Sequence, residues 1–287
     1  KTTYLLALMD YLNQAGRYKA LYVNVEPAQA ARENVRGAIQ AILAGLSSMA
    51  RDYLGDMYPA QIWSAILAEQ GEYAALAEVL TRWAEHSPLP IVLMIDEIDS
   101  LIGDTLIAVL RQLRAGYPKR PAHFPQSIIL CGVRDVRDYR IHSSRDQAII
   151  TGGSAFNVKA ESLRMSDFDQ AEVELLWRQH SEDTGQPIDD QTLALVWELT
   201  RGQPWLVNAL GWEACFKLPA AKDRKTPITA EMIQEAKEQI ILRRETHLDQ
   251  LVDKLKEPRV QAVIGPMLEG VDLAQTVAQD HIQYVVD

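Results

Sequence analysis

The sequence predicts two folded parts in series: an α/β domain whose parallel sheet is covered by helices on both faces, then an all-helical domain. Three observations carry this. Residues 91–95 (IVLMI) and 127–131 (SIILC) are apolar almost throughout, as strands buried on both faces are. These runs alternate with amphipathic helical stretches, the pattern of a parallel sheet. From about residue 165 onward only helical periodicity remains.

Taken in order, Leu5, Leu8, Met9 and Leu12 recur at helical spacing, and Gly16 is a stop signal. Residues 19–25 (KALYVNV), rich in β-branched and aromatic side chains, read as a buried strand. Ala31, Val35, Ala38, Ile39, Ile42, Leu43 and Leu46 line one face of a long amphipathic helix. Helical stretches follow near 60–70 and 73–86, and Pro88 and Pro90 mark the turn into the 91–95 strand. Residues 105–113 are helical, 127–131 form a strand, and 157–163 a shorter one. Ser166 with Asp169 resembles a capping box that opens a helix to about residue 182. Further helices cover roughly 189–200, 204–216, 229–244 and 246–268, and 281–286 (HIQYVV) begins another element. The boundary between the two parts falls near residue 165.

Composition narrows the function classes. At 47% hydrophobic and 24% charged, the 287 residues are ordinary for a globular protein. No apolar run approaches the roughly 20 residues of a membrane span, and the N-terminus lacks a signal-peptide pattern. Cys131 and Cys215 are far apart and lack metal-ligand spacing, so a reducing, cytoplasmic location is expected. The six histidines form no HxxxH or HxH pair, which argues against a histidine metal site. A net charge of −10 allows DNA binding only through a local basic patch. Two stretches qualify by composition, one with Arg111, Arg114, Lys119 and Arg120, the other with Arg134, Arg137 and Arg140. Both read as solvated faces with one functional arginine.

Four motifs carry chemistry. Lys1-Thr2-Thr3 directly precedes an amphipathic helix. A lysine and a hydroxyl at a helix N-terminus match the end of a phosphate-binding loop, the lysine on β- and γ-phosphates and the hydroxyl on Mg²⁺. The strand IVLMI ends in Asp96-Glu97, at the edge where open α/β sheets bind ligands. Adjacent strand residues point differently, so Asp96 suits Mg²⁺, directly or through water, and Glu97 suits polarising an attacking water. Asp99 reads as an N-cap for the next helix. The strand SIILC leads through Gly132 and Val133 to Arg134, placed to stabilise developing negative charge. Gly202-Gln203-Pro204 joins two helices, with Gly202 ending one and Pro204 in the first turn of the next. Arg145, Arg243 and Arg244 are candidate trans-acting arginines, each fitting a surface salt bridge better. Trp177, Trp205 and Trp212 read as helical core.

Lys1-Thr2-Thr3, IVLMIDEID, SIILCGVRDVRDYR and TRGQPWLVN follow the order and spacing of AAA+-like ATPases of the STAND group. The chain resembles prokaryotic AAA-like domain ATP-binding proteins, which are similar to archaeal and origin-recognition ATPases. The resemblance implies a P-loop NTPase core over 1–164, a helical lid over 165–256, and the start of a winged-helix-like segment over 257–287. It implies that a first strand and glycine loop precede Lys1, and that the chain continues past residue 287. It implies ATP and Mg²⁺ as ligands: Lys1 and Thr2 ending the P-loop, Thr2 and Asp96 on the metal, Glu97 as catalytic base, Arg134 as the sensor on the neighbouring strand, and Pro204 touching nucleotide from the lid.

The expected function is an ATP-hydrolysing switch that couples nucleotide state to domain rearrangement or assembly with a protein partner or with itself. The alternatives are a DNA-binding ATPase resembling replication initiators or transposition helpers, contacting DNA through a C-terminal winged helix, and a nucleotide-dependent scaffold without hydrolysis. No membrane association is expected.

Overall fold

The computed structural model describes residues 1–133, 140–143, 148–151, 156–157, 161–243, 255–256, 258–269 and 277. The chain divides into two compact units, Lys1–Leu163 and Arg164–Asp287.

In the first unit, α1 (Thr2–Gln14) leads into β1 (Lys19–Asn24). After a 3-10 turn come α2 (Val35–Leu54), α3 (Tyr58–Gln70) and α4 (Ala75–His86), then β2 (Ile91–Asp96), α5 (Gly103–Gly116) and β3 (Ser127–Leu130). The strands form one parallel sheet, ordered β1-β2-β3. Alternate residues face opposite sides. Ala20, Tyr22, Val92 and Met94 pack against Leu5 and Met9 of α1. Leu21, Val23, Ile91, Leu93 and Ile95 pack on the other side with Ile39, Leu43, Leu76, Leu80 and Leu110 from α2, α4 and α5. β2 is buried along its whole length, which is why residues 91–95 are uninterruptedly apolar before the strand ends in Asp96. At the start of β1, Asp56 ties three elements together. It accepts from Lys19 Nζ of β1 (2.7 Å), Trp83 Nε1 of α4 (2.9 Å) and the Tyr58 amide of α3 (3.0 Å).

A hairpin of β4 (Arg140–Ser143) and β5 (Ala148–Thr151), antiparallel, was not expected from the sequence. The short strand expected at 157–163 is absent at its described residues. Asp99 does not cap α5. It lies in a 3-10 turn, Ile98–Ser100, and the N-cap of α5 is Ile102, with no side-chain cap. The extra turn separates the carboxylate from the helix start.

The second unit holds α6 (Gln170–Thr184), α7 (Asp190–Thr200), α8 (Pro204–Trp212), α9 (Ala230–Leu242) and α10 (Pro258–Leu268). Val173, Trp177, Val196, Val207, Leu210 and Ile233 are among its core residues. The capping box of α6 is Asp169 with Glu172, one turn later than Ser166 with Asp169. The Phe168 amide donates to the Gly202 carbonyl at 2.9 Å, which holds the preceding backbone out of the helix. A π-helical turn, Glu213–Lys217, extends α8. Trp212 is 56% exposed and stacks on exposed Phe216, so of the three tryptophans it is not a core residue.

Arg243 is bidentate to Glu213 (2.7 and 2.9 Å), whose side chain is buried. It is a structural partner within its own unit. Arg243→Ala should destabilise the unit by about 2 kcal/mol, less than a fully buried pair because the guanidinium is half exposed. Thermal melts check this, and Glu213→Gln added to Arg243→Ala should recover part of the loss.

Candidate functional site

The register places Asn24 beside Asp96 and Ile95 beside Leu130, so β1, β2 and β3 end in one row. Asp96 has the parity of Val92 and Met94 and faces α1. There Thr2, in the first turn of α1, donates its hydroxyl to Asp96 Oδ2 at 2.7 Å, across 94 positions of sequence. Tyr22 of β1 donates to the same oxygen at 3.0 Å, and the Glu97 amide donates to Oδ1 at 3.0 Å. The Cys131 thiol, just past β3, also hydrogen-bonds Asp96. Lys1 Nζ donates to the Gly132 carbonyl at 2.8 Å. The N-terminus of α1, with no side-chain cap and no acidic residue in its first turn, therefore lies against the carboxyl edge of β2. Its amides and dipole favour an anion there.

The two adjacent acids are held differently. Asp96 is 1% exposed. Burial alone would raise its pKa, but the donors from Thr2, Tyr22, Cys131 and the Glu97 amide outweigh it and hold the carboxyl below its ordinary range. For Glu97, burial and then the negative charges of Asp96 and Asp99 push the pKa up, and Lys1 opposes this only in part. Glu97 also has φ 58°, ψ 39°, a left-handed conformation costly for a residue with a Cβ. The turn is fixed by the bond from the Ile98 amide to the Cys131 carbonyl (3.0 Å). Backbone strain and perturbed carboxylate pKa values concentrate at functional sites, which makes this strand end the candidate site. Tyr22 and Cys131 shift up, to about 12 and about 11, chiefly by burial, so both keep their protons at neutral pH and act as donors.

The structure thus brings Lys1, Thr2, Asp96 and Glu97 to one edge. Arg134, Arg137, Arg145 and Arg244 lie outside the described residues. Pro204 is the first residue of α8 in the second unit, behind an N-cap Gln203 whose side chain accepts from the Leu206 amide. The basic stretch before β3 is engaged locally. Arg120 lies over the Tyr117 ring, 3.9 Å from its centroid, and Lys119 reaches Thr81. Among the described residues no group of three or more His, Cys, Asp or Glu side chains is arranged to hold a metal ion, and no helix is long and apolar enough to cross a membrane. Sequence reasoning missed Tyr22 and Cys131. The available signal was a lone tyrosine in an aliphatic strand, two residues from the end.

No family model and no curated protein matches the sequence. Solved structures do match the fold. Drosophila ORC, in a structure bound to DNA, aligns with 100% of this chain at TM-score 0.50 and 14% identity, and the chain spans 65% of that ORC chain. The Walker-type ATPase paby2304 of Pyrococcus abyssi aligns over 93% of this chain and 76% of its own, at TM-score 0.51 and 14% identity. At such identity the likeness is one of fold. A parallel sheet between helical layers, with a helix N-terminus set against a buried strand-end aspartate, gives this chain the fold of the AAA+ P-loop ATPases.

Proposed function

We propose that the protein is an ATP-binding and ATP-hydrolysing molecular switch of the STAND type, with Mg²⁺·ATP bound at the carboxyl edge of β2. The observation that carries this reading is the 2.7 Å hydrogen bond between Thr2 and Asp96. It joins a hydroxyl at a helix N-terminus to a buried carboxylate at a strand end, a donor set that fits a phosphate-bound magnesium ion. Mg²⁺ takes few protein ligands and completes its shell with phosphates and water, so a three-residue acidic cage is not required. Thr2 and Asp96 would hold the Mg²⁺, which would supply positive charge to stabilise the phosphates.

The chain's own residues then have separate tasks. Lys1 and the amides of α1 bind the phosphates. Thr2 would offer its oxygen lone pairs to the metal while its hydroxyl donates to Asp96 Oδ2. Glu97, with its raised proton affinity, takes a proton from the attacking water. Arg134 stabilises the transition state, and Pro204 contacts nucleotide from the helical unit, linking phosphate state to domain position and to assembly. A cytoplasmic location and a protein partner or second copy complete the reading.

The test is equilibrium binding of ATP and ADP to the full-length protein, with Mg²⁺ and with EDTA, alongside turnover. Asp96→Ala should weaken the Mg²⁺-dependent part of binding by about tenfold or more and leave affinity in EDTA alone. Equal affinity with and without Mg²⁺ in both proteins removes Asp96 from the metal. A second reading, an ATPase acting on DNA, is favoured by the alignment of the whole chain with ORC bound to DNA and opposed by the net charge of −10. Duplex DNA added to the turnover assay separates the two, since stimulation at physiological salt supports the DNA reading.

A further inference from the structure

Asp96 is braced by side chains that the nucleotide reading does not use. A carboxylate offers about four lone-pair sites. Four donors meet this one: the Thr2 hydroxyl and the Tyr22 phenol on Oδ2, the Glu97 amide on Oδ1, and the Cys131 thiol. They arrive from α1, β1, the residue after Asp96, and the end of β3, so both neighbouring strands grip the central one at its last residue. Tyr22 is itself buried at 6% exposure, and its ring packs in the apolar cluster beneath α1. Phenylalanine would fill that cluster equally well, so the hydroxyl's distinct contribution is its bond to Asp96.

We infer that Tyr22, assisted by Cys131, is a positioning residue for Asp96: it fixes the carboxylate so that Oδ2 accepts the Thr2 hydroxyl's hydrogen bond and the Thr2 oxygen keeps its lone pairs for a cation. With its acceptor sites filled, Asp96 serves the metal through Thr2 rather than as a direct ligand. The inference rests on Asp96 being the magnesium-associated acid.

Tyr22→Phe in the full-length protein tests it. A fluescent nucleotide analogue reports affinity with Mg²⁺ and with EDTA, and the ratio of the two is the readout. The ratio should fall about fivefold, the worth of roughly one net hydrogen bond, with affinity in EDTA and the thermal midpoint near wild type. Cys131→Ala, from the other strand, should lower the ratio as well, and Cys131→Ser, which keeps a donor, should restore it. An unchanged ratio in Tyr22→Phe overturns the inference, and so does an equal loss with and without Mg²⁺, which marks a structural role only. If Tyr22→Phe does not fold, the Cys131 pair decides alone: equal ratios in Ala and Ser overturn the inference. A wild-type protein without Mg²⁺-dependent binding fails at the earlier step and removes the reading of Asp96 along with the inference.

Discussion

Glu97→Gln should slow ATP turnover by about 100-fold or more while nucleotide binding stays near wild type, as loss of a water-activating base does. The substitution keeps the size of the side chain and its ability to hydrogen-bond. It removes the capacity to accept a proton. The environment of Glu97 is the reason to expect a large effect. Burial and the charges of Asp96 and Asp99 make it the more basic member of the pair, while four donors hold Asp96 ionised and occupied. A general base works best when its proton affinity is raised toward the working pH. The strained backbone at φ 58° is a further cost the fold carries at Glu97. The measurement is single-turnover hydrolysis beside equilibrium binding. Unchanged turnover would move the base elsewhere, and lost binding would show that Glu97 serves ground-state affinity.

The parallel sheet was legible because its chemistry is local. IVLMI has no polar residue to place on a solvent face, so two covering layers follow, and the structure supplies them. The β4–β5 hairpin was not legible. Its strands, Arg140–Ser143 and Ala148–Thr151, have four residues each, and RIHS shows no apolar run. The start of α6 was misread for a different reason. Ser166–Asp169 and Asp169–Glu172 both have capping-box spacing. The choice is made by the bond from Phe168 to Gly202, a contact 34 positions away that no local pattern contains.

In the candidate site, the residues that sequence can name are those whose type is unusual for their place: a lysine and threonine at a helix start, and paired acids ending an apolar strand. What sequence cannot give is the strand register. Tyr22 reaches Asp96 because Asn24 pairs with Asp96, which puts the two side chains on one face of adjacent strands. Cys131 reaches it because β3 ends level with β2. In sequence the one is an ordinary strand tyrosine and the other a free cysteine.

Gly202→Ala should destabilise the helical unit by about 3 kcal/mol or more, lowering its unfolding midpoint by roughly 10 °C or more. Two costs add. Gly202 has φ 78°, where any Cβ is strained by about 1 kcal/mol. A Cβ there would also overlap the carbonyl oxygen of Phe168, a backbone atom that cannot swing aside. Two other glycines of the unit separate these terms. Gly185 has φ 73° and nothing within 4 Å of a Cβ, so Gly185→Ala should show the strain alone, about 1 kcal/mol. Gly211 lies within α8, and a Cβ there meets Trp177 at 3.5 Å, an ordinary contact, so Gly211→Ala should be near neutral or stabilising. The order Gly202, then Gly185, then Gly211 is the result that supports the argument, and a mild Gly202→Ala would refute the backbone overlap. Left-handed backbone and the approach of Phe168 account fully for Gly202, and the Leu206 amide accounts for Gln203 as an N-cap. The glycine's presence therefore carries no weight for nucleotide binding, and Pro204 is the residue whose substitution tests it. Pro204→Ala keeps a helix-forming residue at the first position of α8, so a change in ATP or ADP affinity without a shift in melting would reveal the contact.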